Sequence, residues 1–309
     1  MSCERLALIM NEVRRHKKDM FTDHLRLLRE ALDCMGISKG RAKEYPQLIE
    51  EFYKDGGRTK EHILAYSESC EIRDIYEFWK PHIDDFPGLV EKIRTVFSKG
   101  PVLQEGENPG ISSNRPRNDA FVYFMAGILL RAEIRVVVVD GVVALEVECH
   151  QDADMTFQWN DSFIDVECKR PQTEKMLEER TKEAYEQINN KGDRKGIIAI
   201  DCSVLIRPAG SLLEDRSAED AHHSISKHLE KVATPKVTKY LAPNILGFIL
   251  FARVPAMLQI AKSPILDFYG KPITRFERNS ISSFLIISNK NIADPRIFAS
   301  IFEKIKRSM

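Results

Sequence analysis

Asp152-Ala153-Asp154-Met155-Thr156-Phe157 and, after the polar stretch Gln158-Trp159-Asn160-Asp161, Phe163-Ile164-Asp165-Val166-Glu167-Cys168-Lys169-Arg170-Pro171 decide how this chain reads. Side chains alternate across a strand, so Ile164, Val166 and Cys168 share one face while Asp165, Glu167 and Lys169 share the other. Met155 and Phe157 are the apolar partners on the first segment, and Asp154 and Thr156 point the opposite way. Gln158 to Asp161 reads as a turn. Paired antiparallel, the two strands set Asp154 beside Glu167 and Lys169.

Two carboxylates that converge on a strand edge repel unless a cation lies between them, and hard oxygen ligands favour Mg²⁺ or Mn²⁺. A metal lowers the pKa of a bound water and polarises a phosphoryl oxygen, while a neighbouring ammonium positions the water or offsets charge building on phosphorus. Asp154, Glu167 and Lys169 therefore suit phosphodiester hydrolysis. The same residues also suit a solvated strand face with cross-strand charge pairs. An Asp/Glu-x-Lys triplet arises by chance roughly twice in a chain of this composition, and Asp193-Arg194-Lys195, in a glycine-bounded loop, is read as a decoy without chemistry.

Context separates the two readings. Asn118 to Glu133 has Phe121, Phe124, Met125, Ile128 and Leu129 at helical spacing, with Asn114 or Asn118 as cap. Ile134 to Glu148 is a β-branched run broken by Asp140-Gly141, a hairpin signal. Pro171 ends the charged strand, Glu174 to Asn190 reads as a polar helix stopping near Gly192, and Gly196 to Asp201 is a short apolar strand. The order is helix, strand meander, helix, strand.

From Asn114 to Asp201 the chain resembles the PD-(D/E)XK nuclease superfamily, carried by Asp154-Met155-Thr156-Phe157, by Glu167-Cys168-Lys169 and by Ala184-Tyr185-Glu186-Gln187. The resemblance implies a restriction-endonuclease-like αβββαβ core, an α/β fold with a mixed central sheet flanked by helices. It implies Asp154 and Glu167 as ligands of Mg²⁺, with Mn²⁺ able to substitute, Lys169 as the residue serving the attacking water, and Gln187 as an auxiliary contact. Two departures stand out. Val122 occupies the position where many members carry a helix acid, leaving Asp119 and Glu133 as substitutes, and Ala153 replaces the proline of the motif.

Flanking acids Asp152 and Asp165 are alternative ligands, whereas Glu146 and Glu148 read as a solvated edge. His222, His223 and His228 lack the i, i+4 spacing of a helical metal pair and read as a solvated helix face. There is no glycine-rich phosphate loop in strand context and no Gly-x-Ser-x-Gly, which argues against nucleotide-driven motors and serine hydrolases.

The 309 residues carry 46 basic and 46 acidic side chains. Basic against acidic counts are 18 and 18 over residues 1–100, 9 and 17 over 101–190, and 19 and 11 over 191–309. An acidic middle followed by a basic C-terminal third fits a metal site beside a surface that follows a phosphate backbone. Arg115, Arg117 and Arg170 are the expected phosphate contacts, with Arg14-Arg15-His16-Lys17-Lys18 a further basic cluster. The six cysteines form no Cys-x-x-Cys pair and read as free thiols in a reducing compartment. No apolar run is long enough to span a membrane, so the expected location is cytoplasmic.

Residues 1–100 read as a helical N-terminal domain, 101–116, rich in Gly, Pro and Ser, as a linker or mobile loop, and 117–309 as the nuclease-like domain. Later elements are a helix ending at Val232, apolar strands at Asn244–Phe251 and Ser283–Ile287, and a closing helix Pro295–Lys306. The expected partner is nucleic acid, DNA before RNA, with a homodimer if both strands are cut. The alternative is a module that keeps the fold and binds or assembles without cleaving.

Overall fold

The structure is a computed structural model that describes residues 23–54, 60–102, 115–145, 147, 152–206, 213–215, 217–260, 275–289 and 295–308. Residues 23–34 are helical (α1), followed by α2 (Arg41–Lys54), α3 (Lys60–Trp79) and α4 (Leu89–Ser98). Gly40 enters α2 with φ +79°, and a Cβ there would strike the Ser98 carbonyl at the end of α4. The absence of a side chain is what lets the two helix ends meet.

Helix α5 (Arg115–Arg131) is buried on nearly every side from Ala120 to Leu129, as a helix sandwiched between other layers must be. It starts at Arg115, so Asn118 lies inside it rather than capping it, and Asn114 is outside the described residues. Then come β1 (Arg135–Val139) and the short β2 (Val142–Val143), joined at Asp140-Gly141 with φ +49° and +70°. Both central residues are left-handed, the requirement of a two-residue turn matched to strand twist.

β3 (Met155–Trp159) and β4 (Ser162–Lys169) form the expected antiparallel hairpin, with Thr156 opposite Asp165, Phe157 opposite Ile164, and Asn160 at φ +51° in the turn. Helix α6 (Glu174–Asn189) follows, its Thr173 hydroxyl accepting from the Met176 N–H as an N-cap. β5 (Lys195–Asp201) then lies parallel to β4. Beyond it are the short α7 (Ser203–Ile206), β6 (Leu213–Asp215), α8 (Ala218–Val232) capped by Ser217, α9 (Thr234–Val237), β7 (Ile245–Ile260), β8 (Arg275–Ser288) and α10 (Pro295–Ser308).

The fold is α/β, with one mixed sheet in the order β2-β1-β3-β4-β5-β7-β6 and β8 also paired to β7. β7 and β8 run well past the apolar segments expected from sequence. Pro255 falls where β7 passes from pairing β5, which ends at Phe251, to pairing β6, which begins at Ala256. A residue without an N–H costs no ladder bond at such a gap.

Two hydrophobic clusters sandwich the sheet. One joins α1–α5, the inward faces of β1, β3 and β4, and α10, running from Leu28 through Trp79, Phe121 and Phe157 to Ile301. The helices before residue 100 thus pack directly on the sheet layer, and most of the linker expected at 101–116 lies outside the described residues. The other cluster joins α6, α8, β5 and β7 through Leu177, Ile198, Ile225 and Phe248. Among the described residues no helix is long and apolar enough to cross a membrane.

Candidate active site

The alternation read from sequence is what the hairpin builds. Ile164, Val166 and Cys168 enter the cluster under α5, so Asp165, Glu167 and Lys169 project from the opposite face of β4. That face is not solvated: Asp165, Glu167 and Lys169 are 0 %, 1 % and 8 % exposed. Asp154 stands just before β3, half-buried, and its Oδ2 accepts the Cys168 N–H at 2.7 Å. One backbone bond therefore ties the first acid to the strand carrying the second.

Lys169 Nζ lies 3.2 Å from Glu167 Oε2 and 3.5 Å from Asp154 Oδ2. The two oxygens share one ammonium and can be no farther apart than those two distances together. Burial pushes the Glu167 carboxyl up to about 7, Asp154 adds to the rise, and Lys169 and Lys191 only partly offset it. Burial alone would lower the Lys169 ammonium, but Asp154 and Glu167 outweigh it and hold the pKa above the usual lysine value.

Sequence reasoning missed two cations at this site. Lys191 donates to Glu167 Oε1 at 3.1 Å and to the Asp152 carbonyl at 3.0 Å, and sits 3.8 Å from Asp165 Oδ2. Arg194 pairs with Asp165 and with Asp152, and Thr156 Oγ1 donates to Asp165 Oδ1 at 2.8 Å. The loop read as a decoy carries these groups. No signal in the sequence placed it here, because the parallel register that puts Lys195 beside Ile164 is set by tertiary packing.

Burial also raises Asp165, against the pull of Thr156, Arg194 and Lys191, whereas at Asp152 the effect of burial is overcome by Lys191 and Arg194 and its carboxyl falls below the usual range. Asp165 Oδ2 is buried without a hydrogen bond.

Asp119, one turn into α5, is raised by burial, partly offset by Arg115, and raised further by Asp140 and Asp154. It is thus the α5 carboxylate that feels the site. Val122 is buried in the core, and Glu133 is exposed beyond the helix end.

The remaining expected residues are not brought together with this centre. Gln187 is exposed on α6 and makes no hydrogen bond to the site among the described residues; α6 reaches Lys169 electrostatically through Glu183. Arg117, 3 % exposed, pairs with Glu68 and donates to the carbonyls of Pro101 and Val102. Arg170, 7 % exposed, donates through Nε to Asp201 Oδ2 at 2.9 Å. The phosphate contacts expected of these two arginines give way to buried ion pairs, because residues at the start of α5 and the end of β4 point into the layer under α3. Only Arg115 is exposed, 3.8 Å from Asp119.

His222 and His223 are exposed and His228 is half-buried, as expected of a wetted helix face. Glu146, Glu148 and the basic cluster at 14–18 lie outside the described residues. Among the described residues no group of three or more His, Cys, Asp and Glu is gathered closely enough to hold a metal. No family model, curated protein or solved structure matches the chain.

Proposed function

We propose that the protein is a metal-dependent nuclease acting on DNA, with Asp154 and Glu167 as the metal's carboxylates and Lys169 beside the scissile phosphate. The observation that carries this reading is the convergence of Asp154 Oδ2 and Glu167 Oε2 on one buried ammonium. It is supported by the order α5, β1, β3, β4, α6, β5, with β5 parallel to β4, which is the order of the PD-(D/E)XK core.

The donor set fits Mg²⁺ or Mn²⁺. Magnesium keeps several waters and takes only one or two protein carboxylates, so a third acid is not required. The Glu167 carboxyl is raised chiefly by burial and then by Asp154, against Lys169 and Lys191, and a divalent cation bound beside it would favour its ionised form. Bound there, the ion would act as a Lewis acid and make a water more acidic.

The chain's own residues do the rest. The Cys168 N–H holds Asp154 in place, Lys191 holds Glu167 Oε1 and leaves Oε2 directed at Lys169. Lys169, beside both carboxylates, is placed to orient a water or to neutralise a phosphoryl oxygen. Cytoplasmic location and homodimerisation belong to the same reading.

A second reading, a binding or assembly module without cleavage, draws on the burial of Arg117 and Arg170, which leaves fewer free cations near the site. Incubating the purified protein and Lys169→Ala with supercoiled plasmid and Mg²⁺ or Mn²⁺ separates them. Nicking or linearisation that disappears in Lys169→Ala and in chelator supports the nuclease. DNA retention without cleavage favours the module, and cleavage undiminished in Lys169→Ala removes this site from the reaction.

A further inference from the structure

Between α3, α5, α8, β8 and α10, apart from the carboxylate cluster, lies a cavity of about 540 Å³. Pockets that bury drug-sized ligands run from about 300 to 1,000 Å³ and are walled mainly by apolar and aromatic groups with a few polar anchors. Here the walls are Phe78, Phe124, Phe284 and Phe302, contributed by α3, α5, β8 and α10. Four rings from four separate elements line the cavity.

The polar anchors are two arginines of different status. Arg253 is tied down: it donates to Asp74 and to Ser282 Oγ, and its guanidinium lies over the Phe124 ring at 4.9 Å. Its charge is matched. Arg131, in the last turn of α5, is exposed and stacks over Phe78 at 5.3 Å, and it forms no ion pair with any carboxylate among the described residues. The cavity therefore ends in one uncompensated cation held flat against an aromatic wall. Among the described residues, the other ionisable groups lining it are His222, exposed on α8, and Asp74, whose carboxylate is engaged by Arg253 and Arg73.

We propose that this cavity binds a small, flat, largely apolar anion, its rings stacked among Phe78, Phe124, Phe284 and Phe302 and its acidic group paired with Arg131. Aromatic faces select planarity and a guanidinium selects a carboxylate, sulfonate or phosphate. A neutral ring system fills the walls but leaves Arg131 unanswered, and a small inorganic anion satisfies Arg131 but leaves the walls empty. The inference is independent of the nuclease reading, since none of these residues belongs to the carboxylate cluster.

Two fluorescent probes that share a ring system test it: 8-anilinonaphthalene-1-sulfonate, and N-phenyl-1-naphthylamine, which lacks the sulfonate. Titrated into the full chain, the sulfonate binds at one saturable site about tenfold more tightly than the neutral amine, the worth of one charge-assisted contact. Arg131→Gln brings the two affinities together by weakening the sulfonate alone. Phe302→Ala, which removes a half-buried wall without touching the charge, weakens both probes alike by about fivefold. Circular dichroism and the unfolding midpoint establish that each variant is folded. Equal affinities for the two probes in the wild type, an unchanged preference in Arg131→Gln, or no saturable binding of either probe overturns the proposal.

Discussion

Replacing Glu167 by Gln should stabilise the metal-free protein, and by an amount that grows with pH. The Glu167 carboxyl titrates near 4.5 in an unfolded chain and at about 7 in the folded protein, chiefly through burial and then through Asp154. Below pH 4.5 the group is protonated in both states, so acid and amide are nearly equivalent. Between pH 4.5 and 7 the unfolded chain has released the proton while the folded chain keeps it, so stability falls as pH rises. Above 7 the cost levels off at about 3 kcal/mol, the free energy separating the two titration points. That figure already contains the attraction of Lys169 and Lys191, and Asp154 remains as a counter-charge for Lys169 in the variant. Urea unfolding in chelator at pH 5, 6, 7 and 8 measures the difference between variant and wild type. It should open in favour of Gln by about 3 kcal/mol at pH 8. Mn²⁺ at a hundred times its dissociation constant should then return about 2.7 kcal/mol to the wild type and little to the variant. A difference that stays flat with pH, or a variant less stable than wild type at pH 8, refutes the reasoning.

Arg117→Met strands Glu68 in the interior and should cost about 3–5 kcal/mol in urea unfolding, while the salt dependence of DNA retention stays as in the wild type; a shallower salt slope would restore Arg117 as a phosphate contact. Gly40→Ala forces a left-handed residue against the Ser98 carbonyl and should cost about 1–3 kcal/mol or more, read as a lowered unfolding midpoint; an unchanged midpoint would mean that α2 and α4 separate freely. Burial lifts the Cys70 thiol to about 11 and raises those of Cys168 and Cys202, whereas Cys34 is exposed. With Cys3 and Cys149 changed to Ser, a thiol reagent should therefore modify one cysteine in the native protein and four in urea.

The hairpin was legible because its signals are local. Two-residue alternation placed Glu167 and Lys169 on one face, and the turn read at Gln158 to Asp161, which the structure narrows to Asn160-Asp161 because Gln158 and Trp159 pair within β3, set the pairing that brings Asp154 alongside. Asp140-Gly141 announced its turn for the same reason. What the sequence concealed was non-local. Lys191 and Arg194 reach the acids only because β5 lies parallel to β4, and a parallel register leaves no mark on neighbouring residues. Arg117 and Arg170 look identical in sequence to surface cations; their partners, Glu68 and Asp201, are 49 and 31 positions away. The length of β7 was hidden by Pro255, a strand breaker by composition that the change of pairing partner accommodates.

The cluster that begins at Leu28 and takes in Trp79, Phe121 and Phe157 also contains Ile301 and Ile305 of α10. Roughly 280 residues separate its first and last members, and translation at about 5–20 residues per second spreads their appearance over roughly 15–55 s. From the completion of β4 to the appearance of α10, α5 has its neighbours α3, α4, β1 and β4 but lacks the helix that packs on it from later in the chain. A nascent chain in this state presents a nearly finished core with one open seam, the surface that chaperones retain and that neighbouring ribosomes' products can join. For this protein the slow, exposed step of biogenesis is set by where in the gene the last turn of the core is written.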